Sequence, residues 1–474
     1  MDKIVKNLLI GCFFSFLVSQ MWHNHPELNW ETFETEHFVF YFHKGTERSA
    51  NEAAEIAEKI YKPITDLYQF HPNSKTSIIV KDTDDIANGA AYYFDNKIEI
   101  SALPLNFELR GSHRWLNNVI THEFAHIVSI GASMKYSRRF PFTFIQSISY
   151  EDEKRKDVLT GYPNSIISFP LPNVSMPPWF AEGVAQYMYS DANYDYWDST
   201  RDMIIRDKIY NNSLFTISEM STFGKMGTGN ECVYNHGFYF VSFIVDKYGE
   251  ETLQKICNNL KNKLSFSLND AILKSTGQTL DQMYAHWKEQ ISKQYKTKHN
   301  KIKEHIFEGE IIVNEGTTNI HPVWLKSEDK FLYLSNKDKD YFSQTDLYIY
   351  NFSDSTSKKI IPGVKTKPAV INDSVFVFCK RSKPNIYGSK FYDLYKYELA
   401  SDDETRLTFD ARLSYPSFNE SLNLIAAIGI HDGTSNIFVS DLDSINFVQK
   451  TDFNDGTFIL SLDWKEDKLI FDKN

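Results

Sequence analysis

The stretch Thr121-His122-Glu123-Phe124-Ala125-His126 decides how this chain can be interpreted. Apolar residues recur around it at three- to five-residue steps, which predicts a helix that ends near Gly131. In a helix, His122 and His126 lie one turn apart on the same face, so both imidazoles can reach one metal ion. Glu123 can then act on a water at the open side of that metal. The alternative is a helix that carries these residues by chance, so the motif requires a third ligand.

The cysteines exclude one class of metal site. Beyond residue 20 the chain contains Cys232, Cys257 and Cys379, which are far apart, and no CxxC pair is present. This spacing is typical neither of a disulfide framework nor of a thiolate zinc site. A metal would therefore be held by histidine and carboxylate.

Length and composition limit the remaining classes. The chain has 474 residues, which is enough for two or three domains. A hydrophobic content of 42% excludes global disorder. The formal net charge is -11, and the lysines and arginines are scattered, so we do not expect a nucleic-acid partner.

Residues 1–20 have the layout of a secretory signal peptide. Lys3 and Lys6 precede a short apolar run that is too short to span a bilayer. We expect cleavage near residues 19–21. A lipoprotein-type cleavage before Cys12 and a buried amino-terminal helix are the alternatives. The signal predicts export to the periplasm, the cell envelope or the medium, with peripheral association with the envelope as a further expectation.

Residues 21–300 are predicted to form one α+β domain, with a small sheet in front of a helical part. Strands are expected at 38–42, 77–80 and 97–100, and helices at 50–68, 177–187, 201–210, 236–248, 250–260 and 280–295. Pro63 implies a kink or a break in the first of these helices. The proline-broken apolar stretch within 127–181 fits a lid, a substrate wall or a membrane-touching patch, and the sequence does not decide among them.

Residues 301–474 lose the helical period and contain a repeat. Pro322, Pro368 and Pro416 each start a segment that leads into an apolar strand, at intervals of 46 and 48 residues. A repeat of this length with several short strands is typical of propeller blades. The segment from Arg406 to Pro416 resembles the WD40-like blades of TolB-type propellers.

We therefore predict an incomplete all-β propeller of about three and a half blades. Because an open propeller would leave an unpaired strand edge, we expect the chain to be a truncated form of a longer protein. A small open β-domain is the alternative. The repeats are expected to restrict access to the site or to recruit a protein partner.

The third metal ligand comes from a resemblance. Trp179-Phe180-Ala181-Glu182-Gly183 resembles the Trp-x-x-Glu-Gly segment of the gluzincins, the His-His-Glu zinc peptidases. The other main class, the metzincins, is excluded because Ser129 and Ala132 stand where its motif requires glycine and histidine. The resemblance implies one Zn²⁺ ion on His122, His126 and Glu182, with Glu123 as general base. A glutamate stabilised by the helix dipole is the alternative role for Glu182, with Glu151 or Glu153 as fallback ligands.

The aminopeptidase-N branch of the gluzincins offers a further match. Tyr234-Asn235-His236-Gly237 resembles its Tyr-x-x-Gly, which implies that the Tyr234 hydroxyl contacts the oxyanion of the transition state. His236 is interpreted as a surface or capping residue. Asn88-Gly89-Ala90-Ala91-Tyr92 stands where that branch has an acid that captures the substrate amine, and this segment contains none.

These features predict an exported zinc metallopeptidase that acts on peptide or protein substrates, as an endopeptidase. Two alternatives remain open. One is a zinc aminopeptidase. The other is an envelope binding or scaffold protein in which the zinc site is not catalytic and the propeller is the working part.

Overall fold

A computed structural model describes residues 25–111, 113–140, 142–149, 165–187, 196–224, 227–327 and 329–473. The predicted signal peptide and the fallback ligands Glu151 and Glu153 lie outside these residues. None of the helices in the described part of the chain is long and apolar enough to cross a membrane.

A five-stranded mixed sheet opens the fold. Its strands are β1 (Trp30–Glu34), β2 (Phe38–His43), β3 (Thr76–Lys81), β4 (Gly89–Tyr92) and β5 (Lys97–Ser101), in the order β1-β2-β3-β5-β4. The central strands β2, β3 and β5 are parallel, and β4 runs antiparallel at the edge. Helix α1 (Glu47–Tyr68) makes the crossover from β2 to β3 and runs through Pro63 without interruption, so the predicted break is absent.

Eight further helices complete the first half of the described chain. They are α2 (Trp115–Ser133), α3 (Pro178–Gln186), α4 (Met203–Tyr210), α5 (Ile217–Met220), α6 (Gly229–Tyr248), α7 (Glu251–Lys261), α8 (Leu268–Thr276) and α9 (Leu280–Lys303). They share one buried core with the sheet, including Phe40, Phe124, Trp179, Phe240 and Trp287. Because α2 is buried on nearly all sides, the residues at its centre are held by packing from several directions.

Two of the helix predictions need correction, and the two short helices α5 and α8 were not predicted. Helix α6 begins at Gly229, so Tyr234 lies in its second turn and not at its start. Helix α9 continues to Lys303, although its last turns carry no apolar period. Helix α8 was not predicted, since its nine residues are too few to show a period.

The stretch after α2, in which the sequence predicted no regular element, contains two strands. They are β6 (Phe142–Ser149) and β7 (Ser165–Pro172), which pair as a two-stranded antiparallel sheet. Proline is tolerated there because both strands of a two-stranded ribbon are edge strands, and one side of each needs no N–H donor.

The carboxyl-terminal half contains a series of antiparallel sheets, called here the β-repeat region (Asn319–Lys473). Its strands are β8 (Asn319–Trp324), β9 (Lys330–Ser335), β10 (Asp346–Asn351), β11 (Thr356–Ile361), β12 (Ala369–Asn372), β13 (Val375–Arg381), β14 (Tyr392–Glu398), β15 (Asp403–Arg406), β16 (Leu413–Asn419), β17 (Leu424–His431), β18 (Thr434–Asp441), β19 (Val448–Gln449), β20 (Ile459–Lys465) and β21 (Lys468–Lys473). They form three four-stranded sheets and one two-stranded sheet, and these do not close a ring within the described residues.

The repeated prolines have a structural role in this region. The register of β8 shifts between Ile320 and Val323, and that of β16 shifts between Ser414 and Ser417. Pro322 and Pro416 therefore sit in bulges, where a missing N–H removes no ladder hydrogen bond.

Ion pairs and a helix cap join the two halves. The Arg412 guanidinium contacts both oxygens of Asp82 at 2.6 and 2.7 Å and Asp85 at 2.8 Å. Asp432 accepts the backbone N–H groups of Arg48 and Ser49, at 2.8 and 3.1 Å, and so caps the first turn of α1. The β-repeat region is therefore tied both to the loop before β4 and to the start of α1.

Candidate metal centre

Three side chains converge at the centre of the first half. The Nε2 atoms of His122 and His126 lie 3.1 Å apart, and Glu182 Oε2 lies 3.1 Å from the first and 3.3 Å from the second. In the part of the chain that the structure describes, this is the cluster of histidine, cysteine or acidic side chains that could hold a metal ion. The residues that the sequence singled out as metal ligands are thus brought together.

Two close-packed helices hold Glu182 in this position. Glu182 lies on α3, and a Cβ added to its neighbour Gly183 would stand 2.4 Å from the Gly237 carbonyl oxygen on α6. A Cβ added to Gly237 would stand 2.3 Å from the Trp179 carbonyl oxygen. The backbones of α3 and α6 can therefore approach this closely only with glycine at both positions. The contact fixes Glu182 relative to Tyr234, which lies one turn before Gly237.

Glu123 faces the edge strand of the sheet. It is buried, and a Cβ added to Gly89 on β4 would stand 2.9 Å from its Oε1 atom. A larger residue at position 89 would displace the carboxylate. The segment Asn88–Tyr92, compared above with the amine-binding strand of aminopeptidases, does lie at the site, and it contributes no acid there.

Tyr234 is oriented by a charged pair that the sequence did not reveal. Arg110 donates to both oxygens of Glu231, at 2.9 Å each, and its guanidinium lies 4.7 Å from the centre of the Tyr234 ring. The Tyr234 and His122 ring centres are 6.2 Å apart. The position of Glu231, three residues before Tyr234 on a helix, could have indicated a link, but nothing in the local sequence points to Arg110.

The charges of the centre set the protonation of its groups. Burial by itself would raise the pKa of the Glu182 carboxyl, but the facing His126 and His122 outweigh burial and hold that pKa well below its usual range. Burial raises the pKa of the Tyr234 hydroxyl, and the negative charge of Glu182 raises it further. Glu182 is therefore an anion, and Tyr234 keeps the proton it needs to donate a hydrogen bond.

The ligand set suits zinc. Bonds of about 2.0–2.1 Å in a tetrahedron place ligand atoms about 3.3 Å apart, close to the 3.1, 3.1 and 3.3 Å found here. Two imidazoles and one carboxylate also form a ligand set of catalytic zinc sites, which leave a fourth position open. His126 Nδ1 is buried and has no hydrogen-bond partner among the described residues. The hydrogen bond that usually orients a metal-ligating imidazole through its second nitrogen is therefore missing there.

A cavity of about 740 Å³ adjoins the candidate metal centre. One wall is formed by the first half of the chain and includes His122, Glu123 and Tyr234. The opposite wall belongs to the β-repeat region and includes Lys365 and Tyr415. A substrate that reaches the metal centre through this cavity therefore contacts both halves.

His236 has a different place from the one predicted. It is fully buried, its Nδ1 atom lies 2.8 Å from the Cys232 carbonyl oxygen, and its Nε2 atom accepts the N–H of Phe215 at 3.2 Å. Burial lowers the pKa of this imidazole to about 4. His236 is therefore a neutral core residue, and the interpretation of a surface histidine is wrong.

Residues 165–293 match the Peptidase MA superfamily. The matched range contains Glu182 and Tyr234 and begins after the two histidines. The match supports a peptidase of the gluzincin type, and it does not distinguish the aminopeptidase-N branch. No curated protein matches the sequence.

Solved structures resemble parts of the chain. TolB from Acinetobacter baumannii is 14% identical with a TM-score of 0.26, over 35% of this chain and 42% of that one. The β-propeller domain of the Trilobed protease from Pyrococcus furiosus is 15% identical with a TM-score of 0.25, over 32% and 47%. This chain thus spans less than half of either structure. Because the TM-scores are low, these similarities do not indicate a function.

Proposed function

We propose that this chain is a zinc-dependent metallopeptidase that cleaves peptide bonds within a chain. The observation that carries the proposal is the convergence of His122, His126 and Glu182, with Glu123 lining the same cavity as His122. The Peptidase MA superfamily, which supports a peptidase here, is typically zinc-dependent.

The side chains of the centre have distinct roles in this proposal. When bound, zinc supplies Lewis acidity, which polarises a carbonyl oxygen and lets water lose a proton near neutral pH. The Glu123 carboxylate accepts that proton and later passes it to the leaving amine. The Tyr234 hydroxyl donates a hydrogen bond to the oxyanion, and such a donor lowers the barrier by about 3 kcal/mol.

The lack of an acid on β4 supports endopeptidase over aminopeptidase action. An aminopeptidase must neutralise the free ammonium of its substrate, which costs too much to bury without a partner. The strand Gly89–Tyr92 beside Glu123 has only glycine, alanine and tyrosine. An N-acetylated peptide should therefore be cut, whereas an aminopeptidase would leave it intact.

The proposal extends to the β-repeat region and to location. We infer that the antiparallel sheets are propeller blades, because their four-stranded meanders follow a repeat of about 45 residues. The basic and apolar pattern of residues 1–20 supports export through the secretory pathway. Recruitment of a protein partner by the sheets and peripheral association with the envelope stay predictions.

The decisive experiment compares peptide hydrolysis with and without the metal and the base. The zinc-loaded protein should cut casein and an N-acetylated peptide, and a chelator should abolish both activities. Glu123→Gln should bind zinc at wild-type stoichiometry and lose activity by about 10²–10⁴-fold. Glu289→Gln, an exposed change on α9, is the matched control and should stay active. Zinc content without hydrolysis in the wild type would instead favour a binding or scaffold protein.

A further inference from the structure

The wall of the shared cavity carries four cationic side chains among the described residues, and three of them are neutralised. Arg110 is paired with Glu231, Arg412 with Asp82 and Asp85, and Arg381 with Asp84. The fourth is Lys365, which belongs to the β-repeat region and follows β11. Within the described residues, Lys365 forms no ion pair and no hydrogen bond.

Among the described residues, no carboxylate forms an ion pair with the Lys365 ammonium. It is partly buried, and burial lowers the pKa of its ammonium, while the charge of Glu108, which lines the same cavity, raises that pKa only in part. A desolvated ammonium is costly unless an anion approaches it. A carboxylate that entered the cavity would supply that charge, without displacing an existing partner of Lys365.

The cavity also limits what can bring such a carboxylate. A volume of about 740 Å³ is within the range of sites that enclose small ligands, roughly 300–1,000 Å³. It is far too small for a folded protein. The ligand that fits is a short or locally extended peptide segment, held between the metal centre and the β-repeat region.

We propose that Lys365 is a specificity-determining residue that binds a substrate carboxylate in this cavity while the peptide bond lies at His122 and Glu123. The inference rests on the proposed peptidase function and deepens it. It assigns the substrate class as short or locally extended peptide segments with an anionic group beyond the bond that is cut. The carboxylate is either the free carboxyl terminus or an acidic side chain, and the experiment separates these sources.

The test uses a set of N-acetylated hexapeptides of alanine and leucine. One has a free terminal carboxylate, one has a terminal amide, and a third is amidated but carries a glutamate near its end. For the wild type we expect KM for at least one of the two carboxylate peptides to lie about 10–100-fold below that for the plain amide, as for a hydrogen bond to a charged group. The amidated glutamate peptide identifies the source: a low KM for it assigns an acidic side chain.

Variants at position 365 separate a specific role from a structural one. Lys365→Met should abolish the preference by raising KM for the acid with little change in kcat, and Lys365→Arg should restore it. Lys358→Met, an exposed lysine on β11, is the matched control and should leave the preference unchanged. A preference that persists in Lys365→Met, or equal KM values for all three peptides in the wild type, would overturn the assignment.

A binding measurement keeps the inference apart from the proposed function. The affinity of the same peptides for the full-length Glu123→Gln protein, measured by calorimetry, does not require hydrolysis. Tighter binding of a carboxylate peptide that is lost in the double variant with Lys365→Met supports the assignment even if no peptide is cut. Equal affinities for all peptides would refute it, whatever the outcome for hydrolysis.

Discussion

The contact between α3 and α6 gives a prediction in which two physical effects have opposite signs. Alanine is a better helix former than glycine by about 1 kcal/mol, so Gly237→Ala within α6 would stabilise an isolated helix. In this structure, however, the new Cβ would stand 2.3 Å from the Trp179 carbonyl oxygen and 3.1 Å from the Gly183 nitrogen. Both neighbours are backbone atoms, which cannot rotate away as a side chain could.

The size of the effect follows from the distance that must open. Ordinary contact begins at 3.4 Å, so α3 must retreat by about 1 Å. Overpacking of this kind costs about 1–3 kcal/mol or more, which outweighs the gain in helix propensity. Because Glu182 is carried by α3, it retreats too, and metal ligands tolerate only about 0.2 Å. A misplacement of 1 Å can also cost about 10²-fold in rate.

We therefore expect Gly237→Ala to lower the free energy of unfolding by up to about 2 kcal/mol in urea titrations, which is the overpacking cost less the gain in helix propensity. It should also weaken zinc binding in competition with a chromogenic chelator. Gly309→Ala is the matched control, because nothing lies within 4 Å of the added Cβ. If Gly237→Ala is as stable as the wild type and binds zinc equally well, the reasoning about this helix contact is refuted.

Three further predictions concern Tyr234, Arg412 and His236. Tyr234→Phe should lower kcat by about 10²–10³-fold with little change in KM, since only the oxyanion donor is lost. Arg412→Ala should cost about 3–5 kcal/mol of stability, because it leaves Asp82 and Asp85 buried without their partner. Burial lowers the pKa of His236 from 6.5 to about 4. As the pH falls, the imidazole therefore binds a proton in the unfolded protein before it does so in the folded protein. The neutral His236 therefore contributes about 3 kcal/mol to the free energy of unfolding above pH 6.5, and this contribution is lost as the pH falls towards 4. Urea titrations at several pH values measure the loss.

Each of these has a control and a contrary outcome. Tyr41→Phe, at an exposed strand position, should leave kcat unchanged. An equal loss of kcat in this variant would contradict the role of Tyr234 as the oxyanion donor. Lys62→Ala breaks an exposed pair with Asp66 and should cost less than about 1 kcal/mol. A similar cost at both pairs would contradict the role of burial at Arg412. The difference in unfolding free energy between the wild type and His236→Asn should isolate the effect of the imidazole. If this difference is the same at pH 6.5 and at pH 4, His236 is not buried in its neutral form.

The sequence was informative wherever a short-range pattern determines the structure. His122, Glu123 and His126 lie within one and a half helical turns, so helical geometry alone places them together. The β-repeat region shows apolar segments bounded by turns, and the apolar strand expected after each repeated proline is present as β9, β13 and β17. Glu182 was found only by resemblance, because no local pattern places a residue that lies beyond the 127–181 segment.

The missed features depend on contacts between distant parts of the chain. Arg110 reaches Glu231 across 121 residues, and Arg412 reaches Asp82 across 330. Nothing in either neighbourhood marks the partner, since arginines and aspartates at turns are usually solvated. The same holds for Lys365, because its lack of an ion-pair partner among the described residues is a property of the cavity wall and not of its own segment.

The cap on α1 has a consequence for the timing of biosynthesis. Asp432 follows Arg48 by 384 residues, and a ribosome that adds about 5–20 residues per second needs roughly 20–80 seconds to bridge that interval. Throughout that time the N–H groups at the start of the helix lack the carboxylate that will finally accept them. The amino-terminal fold is thus completed from the far end of the described chain, and a nascent polypeptide released early would keep a frayed first turn.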